Sequence, residues 1–171
     1  MSIESEFLAF SADKLLELVE RIETCVRKLT HEQVWMRGSE NQNAVGNLLL
    51  HLNGNVRQWI LHGVGGQADV RDRDGEFAAF GERNAVEMLA ALRATVGEAA
   101  AVIRALPSER FLARIQPQVY DVTVMSGIYH VVEHFAGHAF QIMLLTKMFT
   151  GDDLGFYAHL NAPKAKKAPV V

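Results

Sequence analysis

The sequence predicts an all-α fold, an antiparallel four-helix bundle with two longer crossover connections. Four stretches repeat apolar residues at helical spacing, no segment alternates convincingly as a strand, and two connections exceed a tight turn. At 171 residues the chain fits one domain, able to bury about two-thirds of the surface its unfolded form exposes. The bundle is expected over residues 1–155, with 156–171 as a partly disordered tail.

The first helix is read over residues 2–29, with Phe7, Phe10, Leu15, Leu18, Ile22, Cys25, Val26 and Leu29 on its apolar face and Ser2 or Ser5 as its cap. Thr30 and Gln33 have the spacing of a capping box for one short turn, and residues 36–43 form a polar loop. The second helix, 43–63, is expected to start at a capping Asn43 and to end at Gly63, Gly65 and Gly66. Its core stripe contains Leu48, Leu49, Leu52, Val56, Trp59 and Ile60. Beside it His51, Asn55, Gln58 and His62 form a polar stripe that periodicity alone places at a boundary or in solvent. His62 lies about 16 Å along the axis from His51, too far to share an ion with it.

Residues 67–81 mix charge with small residues and read as a long, mobile connection. The third helix runs from about Glu82 to Leu106, with Val86, Leu89, Leu92, Val96, Ala99, Ile103 and Leu106 at helical spacing, and Pro107 stops it. Residues 107–122 make a crossover in which Pro117 enforces extended or loop geometry. The fourth helix comes next, capped by Thr123 and ended by Gly151. Beyond it, Phe156 and Tyr157 are placed to fold back on the bundle, and APKAKKAPVV reads as disordered.

Charge and composition exclude several classes. The net charge is −3 and no basic stripe with interleaved aromatics precedes the tail, which argues against nucleic acid. The start of the chain lacks the pattern of a secretory signal, and no run reaches the ~18–20 apolar residues of a membrane span, so a cytoplasmic protein is expected. The single Cys25 falls on an apolar face and reads as a buried thiol with no activating neighbour.

The fourth helix carries His130, His134 and His138 at four-residue spacing. Neutral imidazole is a common ligand for zinc, nickel, copper and iron, and an i, i+4 pair aims two nitrogens at one point. The competing interpretation is a helix with incidental histidines. On a wheel centred on Val131, His138 lies at about −20°, His134 at about −60° and His130 at about −100°. His138 is therefore the deepest, His134 and His138 are the better chelating pair, and His130 belongs at the mouth or surface. Gln141 shares that side, whereas Glu133 points away. A core imidazole with unsatisfied nitrogens costs about 1–3 kcal/mol for each, which a bound metal relieves. Two ligands rarely suffice; His51, in the middle of another helix, is the candidate for the third. His130, Asn55 and Gln141 are expected to line the site or meet substrate.

The segments NLLLHLNGNVRQWI and YHVVEHFAGHAFQI, with the order of four helices, resemble the DinB-like superfamily over about residues 2–150. That superfamily comprises metal-binding four-helix bundles, among them YfiT-type proteins and thiol-dependent transferases, and the nearest resemblance is to a branch of unassigned function. The resemblance implies a site of His51, His134 and His138 holding a divalent transition metal, zinc or nickel foremost, and a homodimer. Ala139 and Phe140 stand where many relatives have arginine and glycine, which implies loss of a basic substrate contact. The function implied is a metal-dependent enzyme acting on a small-molecule thiol or electrophile, thiol-dependent S-transfer ahead of hydrolysis. The alternative is a non-catalytic, stress-associated metal-binding dimer, favoured by the absence of an obvious buried acid on the helix faces near the site.

Overall fold

The computed structural model describes residues 2–161, and these are all-α apart from one two-stranded hairpin. Helix α1, Ile3–Val26, opens on a capping box in which Ser2 and Ser5 satisfy each other's backbone N–H groups. It buries Leu8, Ala12, Leu15, Leu18, Ile22 and Cys25. Phe10, counted on that face from the sequence, is 61 % exposed beneath the Lys14 ammonium. An ideal wheel makes the apolar face wider than the strip a neighbouring helix covers. Val86, near the start of the third long helix, is exposed as well.

The expected Thr30–Gln33 capping box is present and starts the short α2, His31–Trp35. Helix α3, Val45–Val56, begins one residue later than expected, because the side chain of Asn47 reaches back to accept from the Ala44 N–H at 3.1 Å. Asn43 is therefore not the cap. From Arg57 to Val64 the helix continues with π pairing, and Ile60 O accepts from the Gly65 N–H five residues on at 2.8 Å. Periodicity at 3.6 residues cannot register that widening.

The segment 67–81 is folded rather than a bare connection. Asp72 caps a short helix α4, Arg73–Ala78, by accepting from the Gly75 N–H. Asn47 and Arg37 then donate to the Ala79 carbonyl at 2.9 and 3.2 Å, pinning the segment to the start of α3. Helix α5, Ala85–Arg104, is capped by Asn84 and buries Leu92, Val96, Ala99 and Ile103.

The crossover contains a hairpin that the sequence pattern does not announce. Strands β1, Arg114–Ile115, and β2, Val122–Thr123, pair antiparallel, and two-residue strands are too short for alternation to be legible. The carbonyls of Ala113 and Phe111 accept from the N–H groups of Val124 and Met125, two of the donors that a helix start leaves unpaired. Helix α6, Val124–Thr150, is capped by Thr123 and ends at Gly151, whose φ of 72° suits a residue without a Cβ. Thr123 and Gly151 are the expected ends.

Helix α1 packs on α5 and α6, and α3 packs on both as well, so one core lies between the four long segments. Fully buried Leu49, Leu52, Leu92, Ile128, Phe135 and Ile142 occupy it. After α6, Tyr157 Oη lies 3.2 Å from an Arg21 nitrogen and the Phe156 ring lies under the same guanidinium, so both aromatics return to α1 as expected. The expected disorder of APKAKKAPVV lies outside the described residues. Among the described residues no helix is long and apolar enough to cross a membrane.

Candidate metal centre

The packing of α3 against α6 brings three imidazoles together. His51 Nε2 lies 3.0 Å from His134 Nε2, and His138 Nε2 lies 3.2 Å from the same atom. One ligand atom from each histidine falls within 4.8 Å of the others. A tetrahedral ion bound at about 2.05 Å to each nitrogen requires N···N separations of about 3.3 Å. The spacing therefore has the scale of a metal cradle.

The outer nitrogens decide which tautomers face inward. Glu76 Oε2 lies 3.1 Å from His51 Nδ1 and, as a carboxylate, can only accept, so Nδ1 carries the hydrogen and Nε2 presents a lone pair. Arg71 Nη2, which gives one of its two hydrogens to Glu76 Oε2 at 2.8 Å, also lies 3.1 Å from that Nδ1; a bare Nδ1 would set its lone pair against the carboxylate oxygen, whereas an Nδ1–H satisfies Glu76. On the other side Gln141 Oε1 accepts from His138 Nδ1 at 2.8 Å, which leaves a lone pair on His138 Nε2 too. Two lone pairs thus converge on His134 Nε2, which can offer at most one hydrogen. Placing it there leaves the buried, unpartnered His134 Nδ1 bare; moving it to Nδ1 sets three lone pairs against one another. Either arrangement leaves polar groups unsatisfied at about 1–3 kcal/mol each, and a cation shared by the three Nε2 atoms removes the conflict. The donor set fits a divalent transition metal.

Electrostatics agree with this reading. Burial, reinforced by His138, His51 and His130, pushes the His134 pKa down to about 3, so its ring stays neutral over the physiological range. Burial also lowers His138, against the opposing hydrogen bond to Gln141. Neutral imidazole is the form that ligates.

The other expected site residues are placed less uniformly. His51 is buried, not at the solvated boundary that periodicity gives, because the folded 67–81 segment covers that side of α3. His138 is not deeper than His134; both are half-buried, and His134 is the nitrogen at the centre of the cluster. His130 stands outside the cluster, its ring 4.2 Å from that of Trp59, consistent with a place at the mouth. His130, Glu133, His134, Gly137, His138 and Gln141 line a surface opening of about 340 Å³ over the cluster. Asn55, one turn beyond His51, is buried with its Oδ1 unpartnered and has no hydrogen bond to the histidines.

Glu76 and Arg71 are the residues that sequence reading missed. Their side chains are 8 % and 2 % exposed, and Arg71 grips both carboxylate oxygens at 2.8 Å while its third nitrogen donates to Gln58. The absence of a buried acid near the site is thereby corrected, because the acid comes from the connection rather than from a long helix face. Burial raises the Glu76 pKa, and the hydrogen bonds from Arg71 and His51 more than reverse this, leaving it below the ordinary value. Gly54 makes the approach possible, since a Cβ there would collide with Glu76 Oε1. The signal available in the sequence was Asp72 three residues before Gly75, with acids in the adjoining turn, which marks a capped helix inside the supposed loop.

A comparison with curated proteins finds no match. A family model described as a protein of unknown function, DUF1572, matches residues 2–166, nearly the whole chain and all three clustered histidines, and the protein belongs to that family.

Proposed function

We propose that this protein is a DinB-like four-helix bundle that binds one divalent transition metal, zinc or nickel foremost, through His51, His134 and His138, and uses it in thiol-dependent transfer. The observation that carries the proposal is the convergence of three Nε2 atoms, two of them with tautomers fixed from behind by Glu76 and Gln141, beneath an opening. Three protein ligands with a further position open are the pattern of catalytic rather than structural sites.

Within this reading each residue has a definite task. The three imidazoles hold the ion; Glu76 and Gln141 keep the Nδ1 hydrogens outward; Arg71 keeps Glu76 ionised. Gln141 and His130 border the opening through which a small thiol or its electrophilic partner enters. The ion, when bound, supplies Lewis acidity that favours thiolate over thiol, or hydroxide over water for hydrolysis, the second choice. Ala139 and Phe140 place no cation beside the last histidine, so recognition of substrate rests on neutral groups.

One observation favours the non-catalytic alternative. Glu76, the buried carboxylate nearest the cluster, is fully engaged by Arg71 and His51, so it is not free to act as a base. A homodimer belongs to the same proposal and is supported by Phe140, Leu144 and Met148, which α6 exposes at four-residue spacing. Elemental analysis of tag-free protein tests the metal: one first-row ion per chain is expected, and none, with no thermal shift on adding Zn²⁺ or Ni²⁺, refutes it. A conjugation screen of metal-loaded protein with several thiols and electrophiles then separates transferase from binding protein.

A further inference from the structure

A second cleft, of about 270 Å³, lies on the far side of the Arg71–Glu76 pair from the histidines. One wall is a face of α3 and its continuation, where Leu50, Asn53, Gly54 and Arg57 recur at i, i+3, i+4 and i+7. The facing wall is the segment around Val70, and Arg83 stands at the entry to α5.

The charges in this cleft are unequal. Arg71 is spent on Glu76 and Gln58, and the Asp72 carboxylate caps α4 through the Gly75 N–H but keeps its charge, so three guanidiniums stand against two carboxylates in the lining. Among the described residues the guanidiniums of Arg57, half-buried, and Arg83, exposed, have neither an ion-pair partner nor a hydrogen-bond acceptor within the chain. A guanidinium cannot escape by losing its proton, and it presents a planar fork of donors that matches carboxylate or phosphate oxygens. Leu50 and Val70 add an apolar surface beside these two cations, and Asn53 contributes an amide to the same wall.

We propose that this cleft is a binding site for a small organic oxyanion, a carboxylate or phosphate ester with a short apolar body. The anionic group sits between Arg57 and Arg83, and the body rests on Leu50 and Val70. The volume suits a ligand smaller than a typical drug-sized molecule. The site is distinct from the metal site, since none of the three histidines lines it, and the two share only the Arg71–Glu76 pair as a common wall.

The test uses the metal-free full chain, titrated by two-dimensional NMR with phenyl phosphate, benzoate and, as a neutral control, benzyl alcohol. Saturable shifts with an anion, centred on residues 50–57 and 70–76 and weakened by added salt, are expected. The tighter of the two anions identifies the preferred oxyanion. Arg57→Gln and Arg83→Gln should each weaken binding about tenfold, while His134→Ala leaves it unchanged; the spectra themselves report whether each variant is folded. Lack of saturation by either anion, equal binding of benzyl alcohol, or full affinity in both folded arginine variants would overturn the assignment.

Discussion

Glu76 Oε2 lies 3.1 Å from Nδ1 of His51, so an acid delivered by the short helix α4 determines which nitrogen a histidine of α3 presents to the cluster. The same carboxylate is the buried partner of Arg71, which joins the stability of the 67–81 segment to the chemistry of the histidines.

Replacing Glu76→Gln should therefore have two effects. Leaving Arg71 buried without its counter-charge should cost about 3–5 kcal/mol of stability, and losing the carboxylate behind His51 should weaken metal binding about 10- to 100-fold. Chemical denaturation read alongside a competitive zinc titration measures both. An unchanged zinc affinity in a folded variant would show that the carboxylate has no hold on the site.

His134→Ala removes the nitrogen on which the other two converge. The metal-dependent thermal shift should vanish, whereas the metal-free protein should be no less stable than the parent, because the conflict between facing lone pairs disappears with the ring. Differential scanning calorimetry with and without zinc measures the two quantities on one sample.

Acid should destabilise the metal-free protein. The folded pKa of His134 is about 3 against an ordinary 6.5, so the unfolded chain binds more protons in that interval. The contribution to stability is intact above pH ~6.5 and is lost as pH falls from there towards ~3. His138 and His130, both lowered by burial, act in the same direction. Urea unfolding midpoints between pH 7.5 and 4.5 should fall, and the fall should be smaller in His134→Ala.

Cys25 is fully buried and burial pushes its thiol pKa up, against weaker opposing influences from Thr146, Lys147 and Lys28. Its alkylation should be negligible in the native state and should track global unfolding. Rapid labelling of folded protein by a thiol reagent would contradict that burial.

Phe135 is among the largest side chains enclosed by the core and lies next to His134 on α6. Phe135→Ala should cost about 3–5 kcal/mol, read as a shift in the urea midpoint. A loss below about 1 kcal/mol would indicate that the core closes around the vacancy.

The long helices were legible because caps and apolar spacing agree with each other there, as at Thr123, Gly151 and the stripe from Val124 to Phe149. The inward turn of His134 and His138 came from the same periodicity. His51 is the candidate third ligand from sequence, but its burial was not legible: it sits on the polar side of its own helix and is covered by a segment distant in sequence, and a wheel sees only one helix. Two further features escaped for identifiable reasons. Arg71 and Glu76 look like solvated loop charges until tertiary contact pairs them. The π segment after Val56 changes the number of residues per turn, which a fixed period does not register, although Trp59 and Ile60, expected in the core stripe, are buried there.

His51 and His134 are 83 positions apart in the chain, yet their Nε2 atoms are 3.0 Å apart. An ion held between them would act as a reversible crosslink, closing a loop that takes in α4, α5 and the hairpin. Chain-entropy reasoning gives such a closure a few kcal/mol of leverage over the unfolded ensemble, on the order of 4 kcal/mol for a loop this long. The histidine cluster is thus also a clasp: metal occupancy would tie the two halves of the polypeptide and lengthen the lifetime of the folded chain against proteolysis.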